Sequence, residues 1–286
     1  MLKFQKLQGS GNDFIVVDNR AGLDVDWRAA AIAFCDRHFG VGADGILLVE
    51  NPVDEGYDLR MRLINADGGE AEMCGNGIRC TARFALSTGI TGSLRLGWQT
   101  GAGLVVTEVI EHGPGITQVR VDMGAPRFTP AEVPVEAGGT QVVEEPFDVL
   151  GERLDLTCVS MGNPHAVAFV DDVREFPLAR FGPAVETNPR FPRRTNFEVV
   201  QVISPSSLRM RVWERGVGET LACGTGACAA AVASQLGRGT DHRVDVAVPG
   251  GHLEVEWRPG ESVLLTGPAQ TVFVGELPDV LQAGRR

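Results

Sequence analysis

Two cysteines of this 286-residue chain occur in matching, glycine-rich contexts. Cys74 is followed by Gly-Asn-Gly and Cys223 by Gly-Thr-Gly, and each motif precedes a segment of helical character. Glycines let the backbone approach a ligand closely, and the free N–H groups of a first helical turn suit a carboxylate. The positive end of the helix dipole also lowers a cysteine pKa from its usual value of about 8.5. Each motif therefore predicts a thiol that exchanges protons near neutral pH beside a bound anion.

An internal repeat places the two motifs in the same register. Residues 60–64 (Arg-Met-Arg-Leu-Ile) and 209–213 (Arg-Met-Arg-Val-Trp) lie 149 residues apart, as do the two cysteines. The segments 11–18 and 162–171 are also similar, at an offset of 151 residues. These matches indicate duplication of one α/β unit. If the two halves face each other across a cleft, one thiol can remove a proton from a carbon while the other delivers a proton to the opposite face, as inversion of a stereocentre requires.

The elements that must position these thiols follow from hydrophobic periodicity. Helices are predicted over 27–38, 78–86 and 226–237, and alternating segments predict strands around them. The helix after Cys223 is small and apolar on all sides, so we expect it to be buried. These features predict an α/β (α+β) fold of two pseudo-symmetric domains, each a curved, mostly antiparallel sheet wrapped around a central helix.

Glycine and proline at 124–126 and 267–268 predict the crossings between the two domains. The N-terminal half is then 1–123 plus 269–286 and carries Cys74. The C-terminal half is 124–268 and carries Cys223.

Composition limits the partners and the chemistry. A net charge of −11 disfavours nucleic acid and anionic membranes, and the chain has neither a membrane-spanning apolar run nor a signal peptide, which predicts a cytoplasmic protein. The six cysteines are expected to be free thiols, and Cys35 and Cys158 receive no role. No cysteine or histidine spacing suggests a metal site. The only lysines, Lys3 and Lys6, lie in the first predicted strand, which argues against a pyridoxal phosphate Schiff base and favours a mechanism without a cofactor.

Six sequence blocks resemble diaminopimelate epimerases. They span essentially the whole chain and read, in order, Gly-Ser-Gly-Asn-Asp-Phe at 9–14, Asn-Ala-Asp-Gly at 65–68, Met-Cys-Gly-Asn-Gly-Ile-Arg-Cys at 73–80, Met-Gly-Asn-Pro-His at 161–165, Glu-Arg-Gly-Val-Gly-Glu-Thr at 214–220 and Ala-Cys-Gly-Thr-Gly at 222–226. The resemblance implies two pseudo-symmetric α/β domains, a homodimer, and epimerisation of LL-2,6-diaminopimelate to the meso form for lysine and peptidoglycan precursors. A small amino acid is then the only expected ligand.

The resemblance also implies roles for individual residues. Cys74 matches the proton donor and Cys223 the acceptor, while His165 and Glu214 match residues that tune the thiols. The matching substrate-binding positions are Asn12, Asn65, Gly75, Asn76, Asn163, Asn196, Glu214, Arg215, Gly224 and Thr225. The types of these residues match the implied substrate. A second amino-acid end is recognised by a cation for its carboxylate, an anion for its ammonium group and neutral amides.

Three alternatives stay open from the sequence. A proline or hydroxyproline racemase shares the two-cysteine logic, although histidine is typical there at the position of Asn76. A phenazine-type isomerase lacks the paired cysteines, and a non-catalytic amino-acid-binding protein would not need them. One departure from the family pattern is Gly45, where some members carry glutamine.

Overall fold

The computed structural model describes residues 2–113 and 115–277, which form two compact units. The first unit takes in the chain up to Val121 and again from Gly267, and the second runs from Asp122 to Thr266. Among the described residues, no helix combines the length and the apolar character needed to cross a bilayer.

The first unit is built from a sheet and two helices. Its elements are β1 (Leu2–Gly9), β2 (Asn12–Asp18), α1 (Trp27–Phe34), β3 (Gly45–Glu50), β4 (Leu59–Asn65), β5 (Glu70–Ala71), α2 (Gly75–Ser87), β6 (Arg95–Thr100), β7 (Gly103–His112) and β8 (Ile116–Asp122). β1 pairs antiparallel with β2, β2 runs parallel to β3, and β3 pairs antiparallel with β4. β4 pairs antiparallel with β5 and parallel with β6, and antiparallel pairing continues through β7 to β8. This sheet curves around α2, which contacts β1, β2, β3, β4 and β7 and buries residues 75–85.

The second unit repeats the same order of pairings. Its elements are β9 (Glu145–Val149), β10 (Glu152–Ser160), β11 (Pro164–Phe169), α3 (Leu178–Glu186), β12 (Asn196–Ser204), β13 (Ser207–Glu214), β14 (Gly218–Thr220), α4 (Gly224–Arg238), β15 (Arg243–Val248), β16 (Gly251–Glu256) and the start of β17 (Leu264–Leu277). β10 pairs antiparallel with β11, β11 runs parallel to β12, and β12 pairs antiparallel with β13. β13 pairs antiparallel with β14 and parallel with β15, followed by antiparallel β16 and β17.

The central helix of the second unit is α4. It contacts β10, β11, β12, β13, β15 and β16, and most of its side chains are small and buried. The predicted fold class is confirmed: each unit is a curved, mostly antiparallel sheet around one central helix. The C-terminal part of β17 pairs antiparallel with β1 and so belongs to the first unit.

Three helix boundaries differ from the prediction by two or more residues, and one helix of the described residues was not predicted. α1 ends at Phe34 rather than at 38, because the Asp36 carboxylate accepts from the backbone N–H groups of His38 (2.7 Å) and Phe39 (2.8 Å) and forms a turn. α2 and α4 begin earlier than predicted, directly after their cysteines. α3 was not predicted, since Pro183 lies inside it.

Candidate active site

Cys74 is the N-cap residue of α2. Its backbone is extended (φ −144°, ψ 119°), and its sulfur accepts the N–H of Gly77 at 3.3 Å. An N-terminal N–H and the helix dipole both favour a negative charge on the capping sulfur, so this position stabilises the thiolate. The predicted pair Gly75 and Asn76 forms the first turn of α2, and Gly224 likewise begins α4.

Asn12, at the start of β2, connects the thiol to the first turn of the helix. Its Oδ1 accepts from Cys74 Sγ (3.6 Å) and from Asn76 Nδ2 (3.4 Å). Its Nδ2 donates to Asp44, which fixes the orientation of the amide. The guanidinium of Arg37 holds Asp44 in turn, at 2.8 Å. Asp44 was not predicted, although an acidic residue directly before a buried strand was the available signal.

Of two further residues in the first unit, Arg79 belongs to the hydrogen-bonded group around Cys74 and Asn65 does not. Within the described residues, Asn65 lies outside the hydrogen-bonded group; it ends β4, and its N–H donates to Gly69 O (2.7 Å) in a turn. Arg79, which was also not predicted, is wholly buried in α2 and donates to Gly75 O and to Asn76 Oδ1, both at 3.0 Å. A buried guanidinium therefore braces the first turn of the helix.

Cys223 is the N-cap residue of α4 in the same way. Its backbone is extended (φ −121°, ψ 116°), its sulfur accepts the N–H of Gly226 at 3.4 Å, and Thr225 Oγ1 lies 3.4 Å away. Burial raises the pKa of this thiol well above its ordinary range; the negative charge of Glu214 raises it further, and so does that of Glu198 whenever this acid is ionised without a compensating charge. The hydrogen bonds from Thr225 and Gly226 oppose that rise. The free protein therefore keeps Cys223 protonated at neutral pH, and the lowered pKa that the sequence predicted for this thiol is wrong, because burial outweighs the helix N-terminus.

A chain of side chains extends from Cys223 into the core. Asn163 Nδ2 donates to Thr225 Oγ1 (3.2 Å), and Asn163 Oδ1 lies 3.0 Å from His165 Nε2. His165 Nδ1 lies 2.7 Å from Glu198 Oε1 across the parallel strands β11 and β12. Glu198 was not predicted; the signal was a single charged residue inside an otherwise apolar strand.

The remaining predicted residues lie at the start of β12, which is Asn196, and at the end of the neighbouring strand β13, where Glu214 is followed by Arg215. Asn196 Oδ1 accepts the backbone N–H of Arg215 (2.9 Å), and Asn196 Nδ2 donates to Pro164 O (2.8 Å). Buried Asn196 therefore fixes the turn that presents the Arg215 side chain. Glu214 Oε1 accepts the hydroxyl of Thr220 at 2.5 Å.

Comparison with known proteins places this arrangement in context. The sequence profile described as diaminopimelate epimerase matches residues 4–129 and 157–272. A diaminopimelate epimerase from Pelotomaculum thermopropionicum is 47% identical over 280 residues, covering 97% of this chain and 99% of the relative. One from Moorella thermoacetica is 48% identical over 279 residues, covering 97% of this chain and 99% of the relative.

Solved structures share the fold at much lower identity. A phenazine biosynthesis protein from Bacillus anthracis superposes with a TM-score of 0.70 at 18% identity, covering 97% of this chain and 99% of that one. A probable proline racemase from Agrobacterium radiobacter superposes with a TM-score of 0.68 at 15% identity, covering 97% and 93%. These likenesses establish the fold alone. The family follows from the matched profile and the nearly full-length relatives: this chain belongs to the diaminopimelate epimerase family.

Proposed function

We propose that this protein epimerises LL-2,6-diaminopimelate to meso-diaminopimelate by proton transfer among Cys74, the substrate α-carbon and Cys223, without a cofactor. The observation that carries the proposal is the repeated N-cap, in which a cysteine sulfur accepts an N–H at the start of the central helix of each unit. Membership of the diaminopimelate epimerase family supports the assignment of diaminopimelate as the substrate. The two units are then the two duplicated epimerase halves, and the product enters lysine and peptidoglycan synthesis.

The reaction needs one thiolate and one thiol. The Cys223 thiolate removes the α-proton from one face, and the electron pair of the broken C–H bond spreads into the α-carboxylate as an enolate. The Cys74 thiol then donates its proton to the opposite face, and the α-carbon is inverted. Atoms and charge balance, because the thiol and the thiolate have exchanged places. The N–H groups of the two helix starts stabilise the enolate charge.

Substrate binding supplies the thiolate that the free protein disfavours at Cys223. The negative charge of Glu214 helps to hold the pKa of Cys223 high. An ammonium group of the substrate beside Glu214 offsets that charge and lowers the pKa of Cys223. Cys223 then releases its proton to solvent as the substrate binds, so the base is present only when an amino acid is bound.

Recognition of a second amino-acid end is assigned to polar residues at the positions that match the family's substrate-binding residues. Arg215 supplies a cation for a carboxylate, and Glu214 an anion for an ammonium. Asn12, Asn65 and Asn163 supply amides that select handedness. A cyclic amino acid such as proline has no second end for these groups.

The decisive assay compares two substrates in deuterium oxide. LL-diaminopimelate and L-proline are incubated side by side, and solvent deuterium at the α-carbon is measured together with chiral separation of the products. We expect exchange and inversion with diaminopimelate and neither with proline. Exchange with proline alone would assign the protein to the racemases, and exchange with neither would leave an amino-acid-binding protein.

Three alanine variants test the two-base step. Cys74→Ala and Cys223→Ala should each abolish epimerisation while the fold is retained. Cys80→Ala is the matched control, because Cys80 is a wholly buried thiol inside α2 with its pKa raised to about 12 by burial. Substantial epimerisation by Cys223→Ala would contradict the two-base mechanism.

Assembly and location complete the proposal. We assign a homodimer, supported by three consecutive exposed apolar residues of β17, Val272, Phe273 and Val274. Phe273→Asp should shift the sedimentation coefficient towards the monomer. A cytoplasmic location is supported by the six cysteines, which an oxidising compartment would put at risk.

A further inference from the structure

A buried acid and imidazole lie behind Cys223 in the second unit. Glu198 and His165 have no exposed side-chain surface, and Glu198 Oε1 lies 2.7 Å from His165 Nδ1. Glu198 also lies against the start of α4, since a Cβ placed on Gly226 would be 2.8 Å from Glu198 Oε1. The epimerisation chemistry gives this carboxyl group no part.

The neighbours of His165 determine which ring nitrogens carry hydrogen. Asn163 Nδ2 donates to Thr225 Oγ1, so Asn163 Oδ1 is the atom that faces the ring, 3.0 Å from Nε2. A carbonyl oxygen can only accept, and Nε2 must therefore be protonated. Nδ1 faces a carboxyl oxygen, which leaves one further proton to be held between Nδ1 and Glu198 Oε1.

Two observations indicate that this further proton is retained. Glu198 Oε2 is buried and has no hydrogen-bond partner among the residues that the structure describes, which an ionised carboxylate tolerates poorly. Burial raises the pKa of Glu198, although the charge and the hydrogen bond of His165 oppose that rise. Whether the proton resides on Glu198 or on His165, the pair has no net charge and Nε2 keeps its hydrogen.

We propose that Glu198 is a positioning residue whose shared proton with His165 polarises a chain of hydrogen bonds towards the sulfur of Cys223. His165 Nε2–H donates to Asn163 Oδ1, the Asn163 side-chain Nδ2–H donates to Thr225 Oγ1, and the Thr225 hydroxyl is left to donate to the sulfur of Cys223. A hydroxyl donor stabilises the thiolate more than the thiol. The inference rests on the proposed function, because it concerns Cys223 as the reacting base.

Loss of the shared proton would reverse this chain. An ionised Glu198 beside a neutral ring takes the hydrogen of Nδ1, and Nε2 then becomes an acceptor. The Asn163 amide must turn over to donate to it, and the Thr225 hydroxyl must donate to Asn163 instead of to the sulfur. The uncompensated charge of Glu198 would also raise the pKa of Cys223. Both effects favour the thiol.

The first unit shows that this position does not require titratable groups for packing. In the parallel pairs β2–β3 and β11–β12, Phe14 occupies the register position of His165 and Leu47 that of Glu198. A Cβ on Gly77 would meet Leu47 Cδ2 at 3.2 Å, just as one on Gly226 would meet Glu198. An apolar pair therefore fits the same backbone, and the acid and imidazole are specific to the Cys223 side.

The experiment titrates Cys223 by its thiolate absorbance in the far ultraviolet. The full-length Cys74→Ser protein is compared with the same protein lacking Cys223, so that the difference reports Cys223 alone. The chain has one tyrosine, and the pKa of buried Cys35 is raised to about 12 by burial, so the background is small. Two changes are then added: His165→Phe with Glu198→Leu, which copies the first unit, and Glu198→Gln.

The apolar double variant should raise the pKa of Cys223, leaving about tenfold less thiolate at a given pH below that pKa, the worth of one hydrogen bond to a charged group. Glu198→Gln should stay within about threefold of the parent, because its amide can donate to Nδ1 and keep Nε2 protonated. An unchanged or lowered pKa in the double variant would overturn the proposal, since removal of an uncompensated carboxylate charge lowers a thiol pKa. A glutamine variant as impaired as the double variant would overturn it as well.

A second measurement does not depend on the fold of any variant. In the unsubstituted chain labelled with ¹⁵N-histidine, His165 should show hydrogen on Nε2, which faces Asn163 Oδ1, and a bare Nε2 would overturn the proposal. The thiolate titration uses no substrate. It therefore still measures the pKa of Cys223 if diaminopimelate fails to exchange deuterium. That failure would reject the proposed function and would leave the role of Glu198 to be judged by the titration.

Discussion

Gly226→Ala is expected to damage the second unit more than the equivalent Gly77→Ala damages the first. The two glycines occupy the same position, three residues after the N-cap cysteine. A Cβ at Gly226 would lie 2.8 Å from Glu198 Oε1, 3.2 Å from Cys223 Cβ and 3.4 Å from its sulfur. Glu198 cannot move aside, because it is wholly buried and bonded to His165.

The magnitude follows from two opposing effects. Overpacking a rigid, buried contact costs about 1–3 kcal/mol, whereas replacing glycine by alanine in a helix gains up to about 1 kcal/mol. We therefore expect Gly226→Ala to lose a net free energy of about 1–2 kcal/mol. At Gly77 the nearest atoms are a terminal methyl of Leu47 at 3.2 Å and Cys74 Cβ at 3.3 Å. A methyl group rotates away cheaply, so this control should stay within about 1 kcal/mol of the parent.

Hydrogen exchange read by mass spectrometry is the suitable assay, since it reports the opening free energy of α2 and α4 separately. The Gly226→Ala protein should lose protection in α4 and the flanking strand β12, and its Cys223 pKa should rise as Glu198 is displaced. Equal losses in the two variants, or full protection of α4 in Gly226→Ala, would refute the reasoning from the Glu198 contact.

Three further substitutions test other parts of the structure. Burial raises the pKa of Asp13, but hydrogen bonds and charges from two cations outweigh it and bring the pKa from 3.8 to about 2; stability is therefore present above the higher value and lost as the pH falls to the lower. Chemical denaturation of Asp13→Asn should accordingly show a loss of about 2 kcal/mol at pH 7 and little loss near pH 2. Burial raises the pKa of the Cys158 thiol, so its contribution is present below about pH 8.5 and lost above it; Cys158→Ala should make the alkaline decline in stability shallower by up to about 1.4 kcal/mol per pH unit. Gly182→Ala would bring a Cβ to 2.4 Å from the indole of Trp213 and should lower the free energy of unfolding by about 3 kcal/mol, measured against guanidinium.

The central helices, and the cysteine before each of them, were predictable from the sequence, but hydrophobic periodicity did not give the residue at which each helix begins. Periodicity located both helices, yet it placed the starts at 78 and 226 instead of 75 and 224. The reason is that each cysteine sulfur performs the capping that Ser, Thr, Asp or Asn usually performs. A sequence rule based on the usual capping residues does not register a thiol as a cap.

The one unpredicted helix shows how tertiary packing overrides local signals. α3 contains Pro183, which normally ends a helix. It persists because Gly182 allows the helix to lie directly on the indole of Trp213, and because Glu186 accepts the indole N–H at 2.8 Å. Neither contact can be inferred from spacing, since 27 residues separate Glu186 from the indole.

The residues of the candidate site also divide into those that the sequence predicted and those that depend on tertiary structure. Motif matching found the residues nearest the thiols, such as Asn12, Asn163 and Thr225, because they are close to glycine-rich turns. It missed Asp44 and Glu198, whose importance depends on which strand lies beside which. Those two acids orient Asn12 and His165, respectively, and they can be identified only once strand pairing is known.

The duplication clarifies how the surroundings of the two thiols differ. At the register shared by Leu47 and Glu198, one unit keeps an apolar contact and the other places a titratable group behind the thiol. An epimerase whose two stereoisomers differ energetically does not require two identical bases, since each thiol must match only the proton that it removes or delivers. Divergence at this buried position changes the pKa of one thiol while leaving the backbone that presents it intact. Backbone symmetry and electrostatic asymmetry are therefore separable, and the apolar double variant at His165 and Glu198 should keep the symmetric backbone while it removes the electrostatic difference between the two units.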